Sequence, residues 1–439
     1  MRSPNPWRSR RTRTLAAAAA LAAAAPLLAA CGSDGPRSGG GGGEALEVWV
    51  YQDGSTTIQE EFVEKFNETS DIDVNLTQIA GDSYQERART AMGTPNAPDI
   101  FFNWGGGSIS DFVAEDMLVD LTDIVAEEPE LRDGFLPTIM DAGAVDGRYY
   151  GVPMRGVQPV ILFYNKTLFA DAGLEPPSTW EAFTTAVETF QEQDVTPVAL
   201  GGADIWPNMM WLEYLLDREG GSEVFDRIRN GDASAWGDPA MLAAAETVTQ
   251  LLDDGAFGND FRSVAYTNDG APTFFAQGEA AMHLMGSWEF ANQLTNQPEF
   301  AESDLGWTTF PAVEGGAGDP SAVVGNPTNY WSVNSQVEGE RLDAAVEFLK
   351  LHASEEYAQA LIDNGDIPAT TNAEELIGSA PNPEYAQFQW DMISGASSFT
   401  LSWDQALPAS QATPMLDSID KLFGGQLTPQ EFVDSMQDL

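Results

Sequence analysis

At 439 residues the chain has room for two or three domains of roughly 150 residues each. Its 43% apolar and 10% aromatic content is that of a folded chain. Twenty basic against 68 acidic side chains give a net charge of −48. Nucleic acid and anionic membrane surfaces are thereby excluded as electrostatic partners, since both are gripped by basic patches. One cysteine and two histidines exclude an internal disulfide and a histidine-rich metal site, and with them thiol and zinc catalysis.

Residues 2–13 carry five arginines and no acid, and Leu15 to Ala30 is an Ala/Leu run broken by Pro26. These are the basic and apolar regions of a signal peptide, the run being short of the ~20 residues that span a bilayer. It ends in Leu28-Ala29-Ala30-Cys31, the form of a lipobox. Residues 1–30 are therefore expected to be a lipoprotein signal peptide and Cys31 the lipidation site, two acyl chains holding firmly where one is marginal. The alternative is an ordinary signal cut beside an incidental cysteine. Arg10-Arg11 leaves Sec and twin-arginine export both open, because Arg13 and Thr14 stand where apolar residues are usual. Residues 31–43, with five consecutive glycines, read as a flexible tether. Removing residues 1–30 would take the net charge to −53.

From Glu44 onward, strand-like runs alternate with helical stripes. Leu46 to Tyr51 is a strand, and Thr57 to Asn67 sets Ile58, Phe62, Val63 and Phe66 on one helical face. Asp73 to Ile79 is a second strand, Tyr84 to Met92 a helix, and Asp99 to Asn103 a third strand ending at Trp104 and three glycines. Further strands are expected at 149–153, 157–164, 197–200, 280–285, near 305–309 and at 330–333. Helices are expected at 180–191, 208–217, 222–229 and 239–253, followed by a largely helical remainder. Thr428-Pro429-Gln430-Glu431 has the pattern of a capped helix start. Such alternation predicts an α/β fold with mostly parallel sheets covered by helices. Ligands of such sheets bind beyond the carboxyl ends of the strands, so Asp53, Asp82, Tyr84 and Trp104 are expected along one edge. Gly105 to Gly107 lacks the GxxxxGK[ST] pattern of a phosphate loop and reads as bare backbone that a ligand could approach.

Several segments resemble a known family. Gly147-Arg148-Tyr149-Tyr150-Gly151-Val152-Pro153, Leu162-Phe163-Tyr164-Asn165-Lys166-Thr167-Leu168-Phe169 and Pro177-Ser178-Thr179-Trp180-Glu181 are similar to carbohydrate-binding proteins of ABC importers, of the maltodextrin-binding type. So are Phe275-Ala276-Gln277-Gly278-Glu279-Ala280-Ala281-Met282, Gly286-Ser287-Trp288 and Gly365-Asp366-Ile367-Pro368-Ala369. The resemblance implies a two-lobed periplasmic-binding-protein-like fold of type II, each lobe a mostly parallel sheet flanked by helices, with the ligand cleft at the hinge. The lobes are expected to take residues 44–155 with 272–328, and 156–271 with 329–439. It further implies a non-catalytic receptor, monomeric and without a cofactor or metal. Its partners would be an oligosaccharide and the transmembrane subunits of an ABC permease, and it would meet the outer face of the membrane only through its lipid.

A neutral sugar offers flat CH faces rimmed by hydroxyls, so its site needs aromatic plates and carboxylate or amide acceptors. Stacking one ring buries about 50 Å², worth roughly 1.2 kcal/mol at ~25 cal/mol/Å². A micromolar complex needs about 8 kcal/mol, so polar contacts must carry much of the affinity. By motif position the resemblance assigns Trp288 as a stacking plate, and Asn103, Trp104, Tyr51 and Asp53 to the first-lobe edge. An Asp-Gly turn or helix cap competes for Asp53. Gln158 and Arg155 are candidates on the crossover strand, with an arginine ion-paired across the hinge as the alternative. Trp206 is favoured over Trp211 as a plate. Asn329 is a candidate against turn chemistry, and Trp403 with Asp404 supplies a plate and an acceptor near the C-terminus. Met282, Met285, Phe274, Phe275 and His283 read as structural.

Two other classes stay open. A secreted glycoside hydrolase also uses tryptophans and carboxylates, but needs two carboxyls about 5 to 9.5 Å apart across the bond. The same fold could instead hold a cation such as a polyamine, which the net charge favours and Arg155 opposes. The order Asn103-Trp104 with Trp403-Asp404-Gln405 resembles binders of small plant-derived oligosaccharides such as xylobiose or raffinose.

Overall fold

The computed structural model describes residues 45–80 and 83–439. The signal peptide, Cys31, the tether and Asp82 lie outside the described residues. Among these, the strands in chain order are β1 (Leu46–Gln52), β2 (Val74–Ala80), β3 (Ile100–Asn103), β4 (Val152–Pro153), β5 (Gly156–Asn165) and β6 (Thr196–Ala199). They continue with β7 (Ala280–Gly286), β8 (Leu305–Thr308), β9 (Val323–Asn326), β10 (Tyr330–Val333), β11 (Ile367–Pro368) and β12 (Phe399–Leu401).

Two sheets result, ordered β2-β1-β3-β10-β4 and β12-β9-β5-β7-β6. Each is parallel apart from one reversed strand: β10 runs against β3 and β4, and β5 against β7, β8 and β9. Apolar periodicity explains the layers. Leu46, Val48 and Val50 alternate inward on β1, and the helix Thr56–Thr69 buries Ile58, Phe62, Val63 and Phe66 as one stripe. Every residue of β7 is buried, as befits a strand covered on both faces.

The expected division of the chain between lobes is corrected by this pairing. Residues 280–326 supply β7, β8 and β9 to the second sheet, and β10 returns to the first. The cause is β5, whose length lets it take β7 along one edge and both β8 and β9 along the other. The C-terminal portion also divides: Ala345, Phe348 and Leu349 join the first core, while Tyr385, Met415, Ile419 and Phe432 join the second.

The sheets are joined where β4 runs into β5 and where β9 runs into β10. These crossovers are bonded to each other, Met154 N–H donating to Asn329 C=O at 2.8 Å and Thr328 Oγ1 to Arg155 C=O at 2.7 Å. The Tyr357 hydroxyl donates to Met154 C=O at 2.6 Å. The carboxyl ends of β1 and β3 therefore meet those of β7, β9 and β12 around the two crossovers. No helix among the described residues is long and apolar enough to cross a membrane.

Candidate binding cleft

On the first lobe, the carboxyl ends of β1 and β3 bring aromatic rings together. Tyr51 stacks on Phe102 with centroids 5.8 Å apart, and meets Tyr84 and Trp104 edge-on at 6.0 Å each. Trp104 rests edge-on against Phe102 at 4.8 Å. Tyr51 and Trp104 remain half-exposed, whereas Tyr84 is buried with its hydroxyl donating to Phe102 C=O at 2.7 Å.

Arg155 and Asp53 are close to this patch but are occupied with each other. Arg155 is 3% exposed, and its guanidinium forms an ion pair with Asp53, donates to Tyr51 C=O at 3.1 Å and lies 4.9 Å over the Phe102 ring. Asp53 also accepts from Ser55 N–H at 2.9 Å, turning the chain into the following helix. Both alternatives raised by the sequence, the turn and the ion pair, are therefore realised. Asn103 is likewise committed, accepting from Gly105 N–H at 2.9 Å and donating to Ser332 Oγ at 2.9 Å.

The second lobe contributes the other aromatic group. Trp206 opens the helix Trp206–Gly220, and Trp288 opens the helix Trp288–Asn296 directly after β7. Both indoles are half-exposed, with centroids 6.3 Å apart, and Tyr266 meets Trp206 edge-on at 5.2 Å. Trp211 is fully buried in the core, as expected of the partner of Trp206. Gly286 is the seat of Trp288: a Cβ there would lie 2.1 Å from the indole ring. His283 is structural, its Nδ1 donating to Ala199 C=O at 2.9 Å and burial lowering its pKa to about 4.

Gln158, half-buried on β5, pairs in register with Asn326. Asn326 Oδ1 and Asn329 Nδ2 are buried without hydrogen-bond partners at the second crossover. Orphaned polar atoms of this kind are costly unless a water or ligand meets them.

Trp403 is corrected from plate to core. Its indole is fully buried, stacked on Phe225 at 5.3 Å and edge-on to Trp236 at 5.6 Å. Its backbone N–H donates to Glu213 Oε1 at 2.7 Å. Burial pushes the Glu213 carboxyl up to about 8 against that bond, with repulsion from Asp404 adding to the rise. Asp404 itself is half-buried, accepts from Gln405 Nε2 at 2.9 Å, and is raised by desolvation to about 6. The bare backbone at Gly107 is met by protein rather than kept open: a Cβ there would lie 2.3 Å from Ala406 O. The lobes thus touch backbone to backbone beside the second crossover.

Tyr266, Glu213 and Glu289 were not singled out by sequence. Tyr266 sits in no motif, and Glu213 and Glu289 occupy helices where acids usually face water. A surface groove of about 710 Å³ between the helices Thr56–Thr69 and Glu355–Asn364, lined by Phe62, Lys65, Glu356 and Gln359 among others, shares no residue with either aromatic group. Among the described residues no cluster of three acidic, histidine or cysteine side chains is arranged to hold a metal.

A family model described as bacterial extracellular solute-binding protein matches residues 50–359. An uncharacterized ABC transporter extracellular-binding protein of Pyrococcus horikoshii is 29% identical over 193 residues, 44% of this chain and 42% of the relative. The match thus spans less than half the length of that relative. A probable sugar-binding periplasmic protein of Rhizobium meliloti is 22% identical over 357 residues, covering 80% of this chain and 81% of the relative. A solved structure bearing on xylan utilization by the thermophilic bacterium Caldanaerobius polysaccharolyticus superposes with a TM-score of 0.80 at 27% identity, covering 90% of this chain and 99% of that one. With two sheets joined at paired crossovers and a family match over most of its length, the chain belongs to the bacterial extracellular solute-binding proteins.

Proposed function

We propose that the protein is the lipid-anchored receptor of an ABC sugar importer. It captures a short neutral oligosaccharide, of the xylobiose or raffinose kind, by closure of its two lobes. One observation carries the reading: half-exposed aromatic rings stand on the carboxyl edges of both sheets, Tyr51 with Trp104 on one and Trp206 with Trp288 on the other. Aromatic faces at a hinged cleft suit the CH faces of sugar rings. The unpaired amide atoms of Asn326 and Asn329, the half-buried Gln158 and the Asp404 carboxyl supply acceptors and donors for hydroxyls. The Rhizobium meliloti relative and the xylan-related structure support a sugar as the ligand class.

Cys31 is the proposed anchor, the glycine-rich tether gives the body reach, and a permease accepts the sugar from the closed receptor. The protein acts by binding, as a monomer without cofactor. Arg155 is neutralised by Asp53, so its charge neither attracts an anion nor strongly repels a cation. Calorimetric titration of the purified protein with neutral oligosaccharides tests the reading. Saturable heat with a neutral sugar and none with spermidine is expected. Prolonged incubation should release no reducing ends, and their release would make the protein a hydrolase.

A further inference from the structure

Glu289 follows Trp288 directly and is fully buried. Its Oε2 accepts from the Tyr266 hydroxyl at 3.0 Å and from Asn292 Nδ2 at 3.4 Å, and its Oε1 from Gln293 Nε2 at 2.6 Å. Gln293 Nε2 is held in place by Pro272 C=O at 2.9 Å. Tyr266 is fixed at three points. Its backbone N–H donates to Asp204 Oδ2 at 2.7 Å, its ring stacks on His283 at 6.2 Å, and its edge meets Trp206 at 5.2 Å. Tyr266 therefore links a buried carboxyl to a ring of the aromatic corner.

An amide in place of Glu289 could accept through one oxygen only, its NH2 facing a donor, whereas a carboxyl offers acceptor lone pairs on both oxygens. The carboxyl gives the corner two states. When it is neutral, its O–H needs an acceptor, and His283 Nε2, buried and unpartnered, stands 4.0 Å from Oε1. That nitrogen carries no proton, because Nδ1 donates to Ala199 C=O. When the carboxyl is ionised, both oxygens only accept, and the Tyr266 bond becomes charge-assisted and stronger.

We propose that Glu289 is a positioning residue that sets the Trp206–Trp288 corner through the Tyr266 hydroxyl, so that capture strengthens when Glu289 gives up its proton. The proposal rests on that corner holding the ligand. The charged or titratable groups acting on Glu289 are Tyr266, His283, Asp269 and Tyr385, none of them a permanent cation. Burial pushes the carboxyl up to about 7, against the bonds from Gln293, Tyr266 and Asn292, which sets the change near neutral pH.

The test needs no ligand. With twelve tryptophans in the chain, the corner is isolated as the emission of the wild type minus that of Trp288→Phe, followed from pH 5.5 to 8.5. One transition near pH 7 is expected, absent from the same difference taken in Glu289→Gln and in Tyr266→Phe backgrounds whose circular dichroism is native. A flat wild-type profile, or an unchanged transition in either background, overturns the proposal. A second arm measures affinity for whichever sugar binds: Kd should tighten several-fold from pH 6 to pH 8 in the wild type and stay level in Glu289→Gln. Equal pH dependence in both refutes the role in capture. Absence of sugar binding with the ligand-free transition intact would count against the proposed ligand and not against the positioning of the corner.

Discussion

Trp403 and Trp288 should fail in opposite ways when truncated. The Trp403 indole is fully buried between Phe225 and Trp236. Emptying such a site costs about 3–5 kcal/mol, and burial of about 150–250 Å² at ~25 cal/mol/Å² gives a similar figure. At a urea slope of about 3 kcal/mol/M, Trp403→Ala should lower the unfolding midpoint by more than about 1 M. The surviving folded fraction should bind ligand within a few-fold of wild type. Trp288 is half-exposed over Gly286, so Trp288→Ala should shift the midpoint little. It should weaken ligand binding by about 1–3 kcal/mol, roughly 5- to 150-fold in Kd. Urea unfolding followed by circular dichroism, paired with calorimetric titration, separates the two effects. An unchanged midpoint with lost binding in Trp403→Ala would refute its assignment to the core.

Gly286→Ala drives a Cβ into the Trp288 ring, and calorimetry should find ligand affinity down about tenfold with the fold retained. Asp53→Asn leaves the buried Arg155 guanidinium without its counter-charge, and thermal or urea unfolding should find it destabilised by about 3 kcal/mol, with a smaller loss in the double variant Arg155→Met/Asp53→Asn. Glu213 keeps its proton to about pH 8 in the folded chain, whereas the unfolded chain loses it near 4.5. Stability is therefore lost as pH rises from about 4.5 to about 8, by an amount on the order of a few kcal/mol, and is level above. Urea midpoints measured between pH 5 and 8 should fall less steeply in Glu213→Gln. Gly107→Ala should separate the lobes beside the second crossover, seen as a rise in the radius of gyration by small-angle scattering.

Much of the fold was legible because its signals are local. The alternation of Leu46, Val48 and Val50, and the stripe from Ile58 to Phe66, predict β1 and its helix to within two residues. The seat of Trp288 could be read from Gly286-Ser287, small residues that let an indole lie on the backbone. Other features depend on partners far along the chain. β9, only Val323-Val324-Gly325-Asn326, exists because β5 and β12 pair with it. Trp403, flanked by Ser402, Asp404 and Gln405, has the sequence of an exposed plate, but Phe225 and Trp236 enclose it. The ion pair of Arg155 with Asp53 joins residues 102 positions apart, and only the fold decides between it and a ligand contact. The lobe boundaries were misplaced for the same reason, since which sheet receives β7 and β10 is settled by strand pairing and not by local pattern.

Isothermal titration of the purified protein with xylobiose, raffinose and related neutral oligosaccharides tests the central claim most directly. The account predicts saturable one-site binding with Kd in the micromolar range, about 8 kcal/mol, for at least one of them, weakened at least fivefold in Trp288→Ala. No binding to any neutral sugar, or binding that Trp206→Ala and Trp288→Ala both leave unchanged, would contradict it.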